Sequence, residues 1–188
     1  MDSRTVAELV LHLGRIASVE GLTAAQWAVL RYFALANRFS RTPSAFAAFH
    51  GTTRGTASQT IKSLETQGYL TRMRSEGDKR SVRLVLTEKA RRILENSPFE
   101  LLVRATESLP PSAHADFANT LKSMVGHVAR ESGTPHFGTC ASCQHLEDDG
   151  CNPDEPVLHA CNLAGEPLLM EELSQICINF VPEKIHNG

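Results

Sequence analysis

Apolar residues recur at three- and four-residue intervals at the start of the chain. Val6, Leu9, Val10, Leu13, Ile16 and Ala17 define one face of an amphipathic helix over about residues 4–19, which Gly21 ends. Thr23 offers its hydroxyl as an N-cap to a second helix, with Trp27, Leu30 and Phe33 along one side. Thr42-Pro43 repeats the start signal, because proline's missing N–H costs nothing in a first helical turn. This short helix should run to about His50 and bury Phe46 and Phe49. A turn at Gly51-Thr52-Thr53 leads to a longer helix, Arg54 to Gln67, with Ala57, Ile61 and Leu64 on one stripe. Thr56, Ser58, Gln59, Lys62 and Ser63 occupy the rest of its surface, and Gly68 stands where a left-handed C-terminal residue belongs.

The period then falls from 3.6 to 2. Tyr69–Arg74 and Ser81–Leu86 read as strands, with Val82, Leu84 and Leu86 on one face, joined by a polar turn over residues 75–80. Thr87 and Glu88 open a further helix carrying Ile93, Leu94, Leu101 and Leu102, which Pro98 should kink or break. Pro110-Pro111-Ser112 begins another, with Phe117, Leu121, Met124, Val125 and Val128 expected to face inward. Beyond about Glu131 the composition shifts to glycine, proline, cysteine and acidic residues. The resulting organisation is mainly α with a small β-wing: a winged helix-turn-helix (residues 23–87), helices on either side of it (1–22 and 88–132) and a cysteine-rich extension (133–188).

Charge separates these parts. The whole chain carries 19 basic and 21 acidic side chains. Residues 41–92 hold 11 of the former against 4 of the latter, whereas residues 131–188 hold 1 against 10. A local basic patch is what a nucleic acid requires, and whole-chain charge says nothing against it. The acidic end excludes itself as a DNA-binding surface. The N-terminus lacks the compact apolar block of a signal peptide, and no apolar run approaches the roughly 20 residues of a membrane span. Cytoplasm is the expected compartment.

Short helix, tight turn, longer helix and basic hairpin follow in the order of a winged helix-turn-helix. Its second helix fits a DNA major groove about 12 Å wide, and its hairpin can follow the backbone and send a cation into the adjacent minor groove. Arg54, Thr56, Ser58, Gln59, Lys62, Arg74, Lys79 and Arg80 are the candidate DNA contacts. The chain here resembles the multiple-antibiotic-resistance regulator (MarR) family over about residues 5–130. The residues that carry the resemblance are Leu22-Thr23-Ala24-Ala25-Gln26-Trp27, Leu64-Glu65-Thr66-Gln67-Gly68-Tyr69-Leu70, Asp78-Lys79-Arg80-Ser81 and Leu86-Thr87-Glu88-Lys89-Ala90. The resemblance implies a transcriptional regulator, expected to be a repressor governed by a small ligand, metal or redox state. It implies a homodimer built by terminal helices on a pseudo-palindromic site, with Asp78 bracing the wing and Arg80 entering the minor groove. Pro98 and the cysteine-rich tail depart from the family pattern.

All five cysteines fall in the last 49 residues. In a reducing compartment such clustering points to metal or redox chemistry rather than structural disulfides. Cys140-x-x-Cys143 can turn two thiolates toward one ion; Cys161 follows after 17 intervening residues and Cys177 after another 15. Four thiolates make the tetrahedral set of structural zinc. Iron–sulfur ligation is identical in kind, and a thiol–disulfide switch is a third reading. Cys151 is set aside as free, although it can replace Cys161; His136, His145 and His159 are nearby substitutes. A metal would supply folding free energy to a tail with few apolar side chains. A catalytic zinc keeps an open position and a nearby base. Four thiolates fill the sphere and no H-E-x-x-H motif is present, so no enzyme is expected. A protein-interaction adaptor is the remaining alternative.

Overall fold

The computed structural model describes residues 1–16, 21–74, 82–147 and 159–183, and the side chains of residues 15 and 16 are left undescribed. Helix α1 spans Ser3–Ile16 and α2 spans Ala24–Leu35. The start of α2 is a capping box. Thr23 Oγ1 accepts the Gln26 amide at 3.2 Å, and Gln26 Oε1 accepts the Thr23 amide at 2.9 Å, so two otherwise orphaned donors satisfy each other's residues. Helices α3 (Pro43–Phe49) and α4 (Arg54–Thr66) begin the same way, with Thr42 and Thr53 hydroxyls accepting the amides three residues on. Gly68 adopts φ +75°, a left-handed conformation that lets the chain leave α4 and enter the hairpin.

Strands β1 (Leu70–Arg74) and β2 (Val82–Leu86) pair antiparallel, with Leu70 opposite Leu86 and Arg74 opposite Val82. The turn between them lies outside the described residues. Leu84 and Leu86 point inward while Val82 is exposed, because the hairpin extends past the lobe it covers. Val29, Leu30, Tyr32, Phe33, Phe46, Ala57, Ile61 and Leu64 from the three central helices close over these strands as one core. Tyr32 packs edge-on against Phe33 and Phe46, an arrangement that matches ring edges to faces.

Thr87 caps α5 (Glu88–Glu95), and Pro98 stands at the head of α6 (Phe99–Glu107). The expected interruption is a full break. Helix α7 runs from Pro111 to Ser132 and ends on left-handed Gly133. One expectation is corrected here. Phe117, Met124, Val125 and Val128 do not face inward: they are exposed within the chain, Val128 at 61%, and Ala129 is the residue α7 buries. The helix has its apolar stripe, but the described part of this chain does not cover it. Val6, Leu9, Val10 and Leu13 of α1 are exposed in the same way.

The tail is a set of very short strands. β3 (Gly138–Thr139) pairs with β7 (Ile176–Cys177), and β4 (Leu146–Glu147), β5 (Ala160–Cys161) and β6 (Glu166–Pro167) form a second antiparallel sheet. Gly138 is required by its neighbour: a Cβ there would fall 2.7 Å from the Phe180 ring. The tail also returns to the winged lobe. Ala36 bridges in parallel to Ile176, the Asn37 amide donates to the Ile176 carbonyl at 2.9 Å, and Ile176 and Ile178 pack on the central core. The Phe137 ring meets that of Phe49 with centroids 4.2 Å apart.

Candidate functional site

Two groups of residues concentrate chemistry: an exposed polar face on α4, and a cavity in the tail. On α4 the buried stripe of Ala57, Ile61 and Leu64 sets the helix's rotation about its axis. That rotation leaves Arg54, Thr56, Ser58, Gln59 and Lys62 exposed. Thr53 supports the exposed N-terminal turn, accepting the Thr56 amide at 3.1 Å. Free amides at such a helix end carry partial positive charge, which favours a phosphate oxygen.

The β-hairpin adds Arg72 and Arg74, both exposed. Arg72 is committed: its guanidinium grips Glu65 through Nε at 2.7 Å and Nη2 at 3.1 Å, tying β1 to α4. This pairing raises the Arg72 pKa. Glu65 thereby loses its effect as an unscreened anion beside the candidate DNA face. Asp78, Lys79 and Arg80, the wing-tip candidates, lie outside the described residues, and so does Cys151.

The tail brings Cys140, Cys143, Cys161 and Cys177 around one cavity of about 90 Å³, with Phe39 and His145 also on its wall. All four thiols are free, and all but Cys161 are buried. The Cys140 thiol donates a hydrogen bond to Cys177, which holds Cys177 at a pKa of about 6 and pushes Cys140 upward, so that one proton serves the pair. Three other donors reach Cys177: the Asn37 side-chain amide, the backbone amide of Asn179 and the Ser40 hydroxyl. Among the described residues, no three histidine, cysteine, aspartate or glutamate side chains stand close enough to hold a single ion. His159 and His136 are half-buried and are not among the residues lining the cavity.

Residues 36–40, between α2 and α3, are a part of this site that sequence reasoning missed. Asn37 is fully buried; its side-chain amide donates to Cys140 Sγ at 3.5 Å and its carbonyl oxygen accepts the Ser40 amide at 3.1 Å. Ser40 Oγ accepts the Ile178 amide at 2.9 Å. Arg38 pairs with Glu172, which is buried, and with exposed Glu166 at 3.3 Å, and also donates to the Pro167 carbonyl. The one available signal was composition: Asn37-Arg38-Phe39-Ser40 is a polar run, and polar runs between helices read as solvated loops.

Residues 20–81 match the model of the MarR family. No curated protein matches the sequence. Among solved structures, the transcriptional regulator Tm0710 from Thermotoga maritima is 22% identical, over 70% of this chain and 96% of that one, with a TM-score of 0.44. A MarR family protein from Bacillus stearothermophilus is 24% identical over 69% and 99%, with a TM-score of 0.48. CouR from Rhodococcus jostii RHA1, solved with p-coumaroyl-CoA, is 20% identical over 65% and 87%, also at 0.48.

Proposed function

We propose that this chain is a MarR-type transcriptional regulator that binds duplex DNA as a homodimer and acts as a repressor. The observation that carries the DNA-binding reading is the division of α4. Three apolar residues lock one side of the helix into the core, and Arg54, Thr56, Ser58, Gln59 and Lys62 remain exposed. A helix held in that way can enter the major groove, where Gln59 and Ser58 reach base edges and Arg54 and Lys62 meet phosphates. Arg74 extends the cationic surface along the hairpin.

The exposed apolar stripes of α1 and α7 support the dimer. Val6, Leu9, Val10, Leu13, Phe117, Met124, Val125 and Val128 each leave more than a third of their surface uncovered. Contiguous apolar surface on this scale is typical of an interface. Two lobes related by a two-fold axis would then address two half-sites, one helical turn apart or a multiple of it.

The test is a gel shift with DNA from the promoter of the protein's own gene, comparing wild type with Gln59→Ala and Lys62→Ala. Gln59→Ala should weaken the specific site by about 1–3 kcal/mol and relax its base preference. Lys62→Ala should weaken specific and non-specific DNA alike and lower the slope of log affinity against log salt by about one. Absence of any preference for promoter over random DNA in the wild-type protein would refute the regulator reading.

A further inference from the structure

We propose that the four tail cysteines bind an iron–sulfur cluster in the cavity that faces residues 36–40 of the winged lobe. Cys140 and Cys143 sit at the two ends of one short turn, Cys161 in β5 and Cys177 in β7, and these three stretches of the tail bring all four to one cavity wall. Four free thiols around one space make a complete thiolate set for a metal centre. Among the described residues no carboxylate lines the cavity.

Room decides between the occupants. Zinc binds thiolate sulfur at about 2.3 Å, so the four sulfurs of a tetrahedral site crowd to within ~4 Å of one another. Among the described residues no three of the candidate ligands stand close enough to share one ion, while the four thiols line, with other side chains, a cavity of about 90 Å³. It fits a polynuclear centre better than a lone cation. A disulfide needs no cavity at all.

The walls fit the same occupant. Leu168, Leu146, Leu173 and the Phe39 and Phe180 rings pack with Cys140 and Cys177, which gives the thiols an apolar shell. Polar groups reach the sulfurs as donors: Asn37 to Cys140, and the Asn179 amide and Ser40 hydroxyl to Cys177. Hydrogen bonds to sulfur together with burial are the levers by which a protein stabilises the negative charge of such clusters and sets their potential. Each thiol surrenders its proton to solvent as its sulfur coordinates iron. The centre would sit against the winged lobe itself, two residues from the Thr42 cap of α3, rather than at the end of α7.

The test uses the full chain, produced in iron-replete cells and purified without oxygen. Iron, acid-labile sulfide and zinc are measured per chain beside the visible spectrum. The expected result is a brown protein with iron and sulfide in equal amounts and no stoichiometric zinc. Cys161→Ser, at the half-exposed ligand, should lose colour and iron while keeping the helical circular dichroism of the wild type. Asn37→Ala should keep the cluster but shift its reduction potential. A colourless chain holding one zinc, or a metal-free chain with two tail cysteines oxidised to a disulfide, would overturn the proposal. No DNA enters these measurements, so their outcome is independent of operator binding.

Discussion

Arg38 is gripped by two carboxylates that differ in one respect, and the difference makes a quantitative test. Glu172 has a side chain only 6% exposed, and its Oε2 also accepts the Leu169 amide at 3.0 Å; Glu166 is 51% exposed. Removing Arg38 therefore strands a buried carboxylate at one partner and releases an exposed one at the other. Breaking a fully buried pair costs about 3–5 kcal/mol, whereas exposed pairs contribute about 0–1. The Arg38 side chain is itself 20% exposed, so water screens part of the loss and about 2–3 kcal/mol is the working figure for Arg38→Ala. Glu166→Ala should change stability by less than about 1 kcal/mol. The strain falls on the joint between tail and lobe, so the assay is amide hydrogen exchange across residues 159–183, with urea unfolding of the whole chain beside it. Arg38→Ala should raise exchange throughout that segment, and Glu166→Ala should leave it unchanged. A double-mutant cycle should give Arg38–Glu172 the larger coupling. Equal couplings for the two glutamates would show that burial does not decide the strength of this joint.

Three further outcomes follow from other parts of the molecule. Leu9→Glu together with Val128→Glu should turn two chains per particle into one, as read by sedimentation at micromolar concentration, because each places a charge on an uncovered apolar stripe; a wild-type monomer that still bound operator tightly would refute the dimer. Arg80→Ala should weaken operator binding and lower the salt slope by about one while leaving the fold intact, and unchanged affinity would remove the wing from the interface. Removing the proposed tail cluster should shift operator affinity by about 5–150-fold, the usual range of coupling between two sites, if residues 36–40 transmit its loss to α3; an unchanged affinity would make the centre purely structural.

The winged lobe was legible in the sequence because each of its signals is local. Thr23 and Thr42 cap the helices they were expected to start, Thr87 caps the helix it was expected to open, and Gly68 takes its left-handed turn. The break at Pro98 follows equally from the chemistry of one residue. Periodicity also found the stripe on α7, but a stripe states only that something covers it, not that the same chain does. That is why Phe117 and Val128 were expected inside and stand outside. The joint between tail and lobe was illegible for a different reason. Asn37 and Cys140 are 103 residues apart, and a buried hydrogen bond at that separation leaves no trace in the spacing of either. Ile176 and Ile178 stand far along the chain in the tail, yet they pack on the core of the winged lobe. The wing-tip candidates Asp78, Lys79 and Arg80 and the spare Cys151 lie outside the described residues.

The parallel bridge between Ala36 and Ile176 turns an open chain into a closed circuit. Everything from α3 through α7 is enclosed by it, fastened at one end by the peptide backbone and at the other by two hydrogen-bonded residues and a pair of isoleucines. Such a circuit has a mechanical property that an open appendage lacks. A rotation of α7 against the lobe must stretch the loop over residues 133–137, slip Phe137 from Phe49, or unfasten Ile176. Truncation obeys the same geometry. A chain cut after Ser132 would keep every element of the winged helix, yet it would uncover the core face that Ile176 and Ile178 close and leave Asn37 buried without the carbonyl that receives its amide. The tail is the clasp of the circuit, and a shortened protein is an opened one.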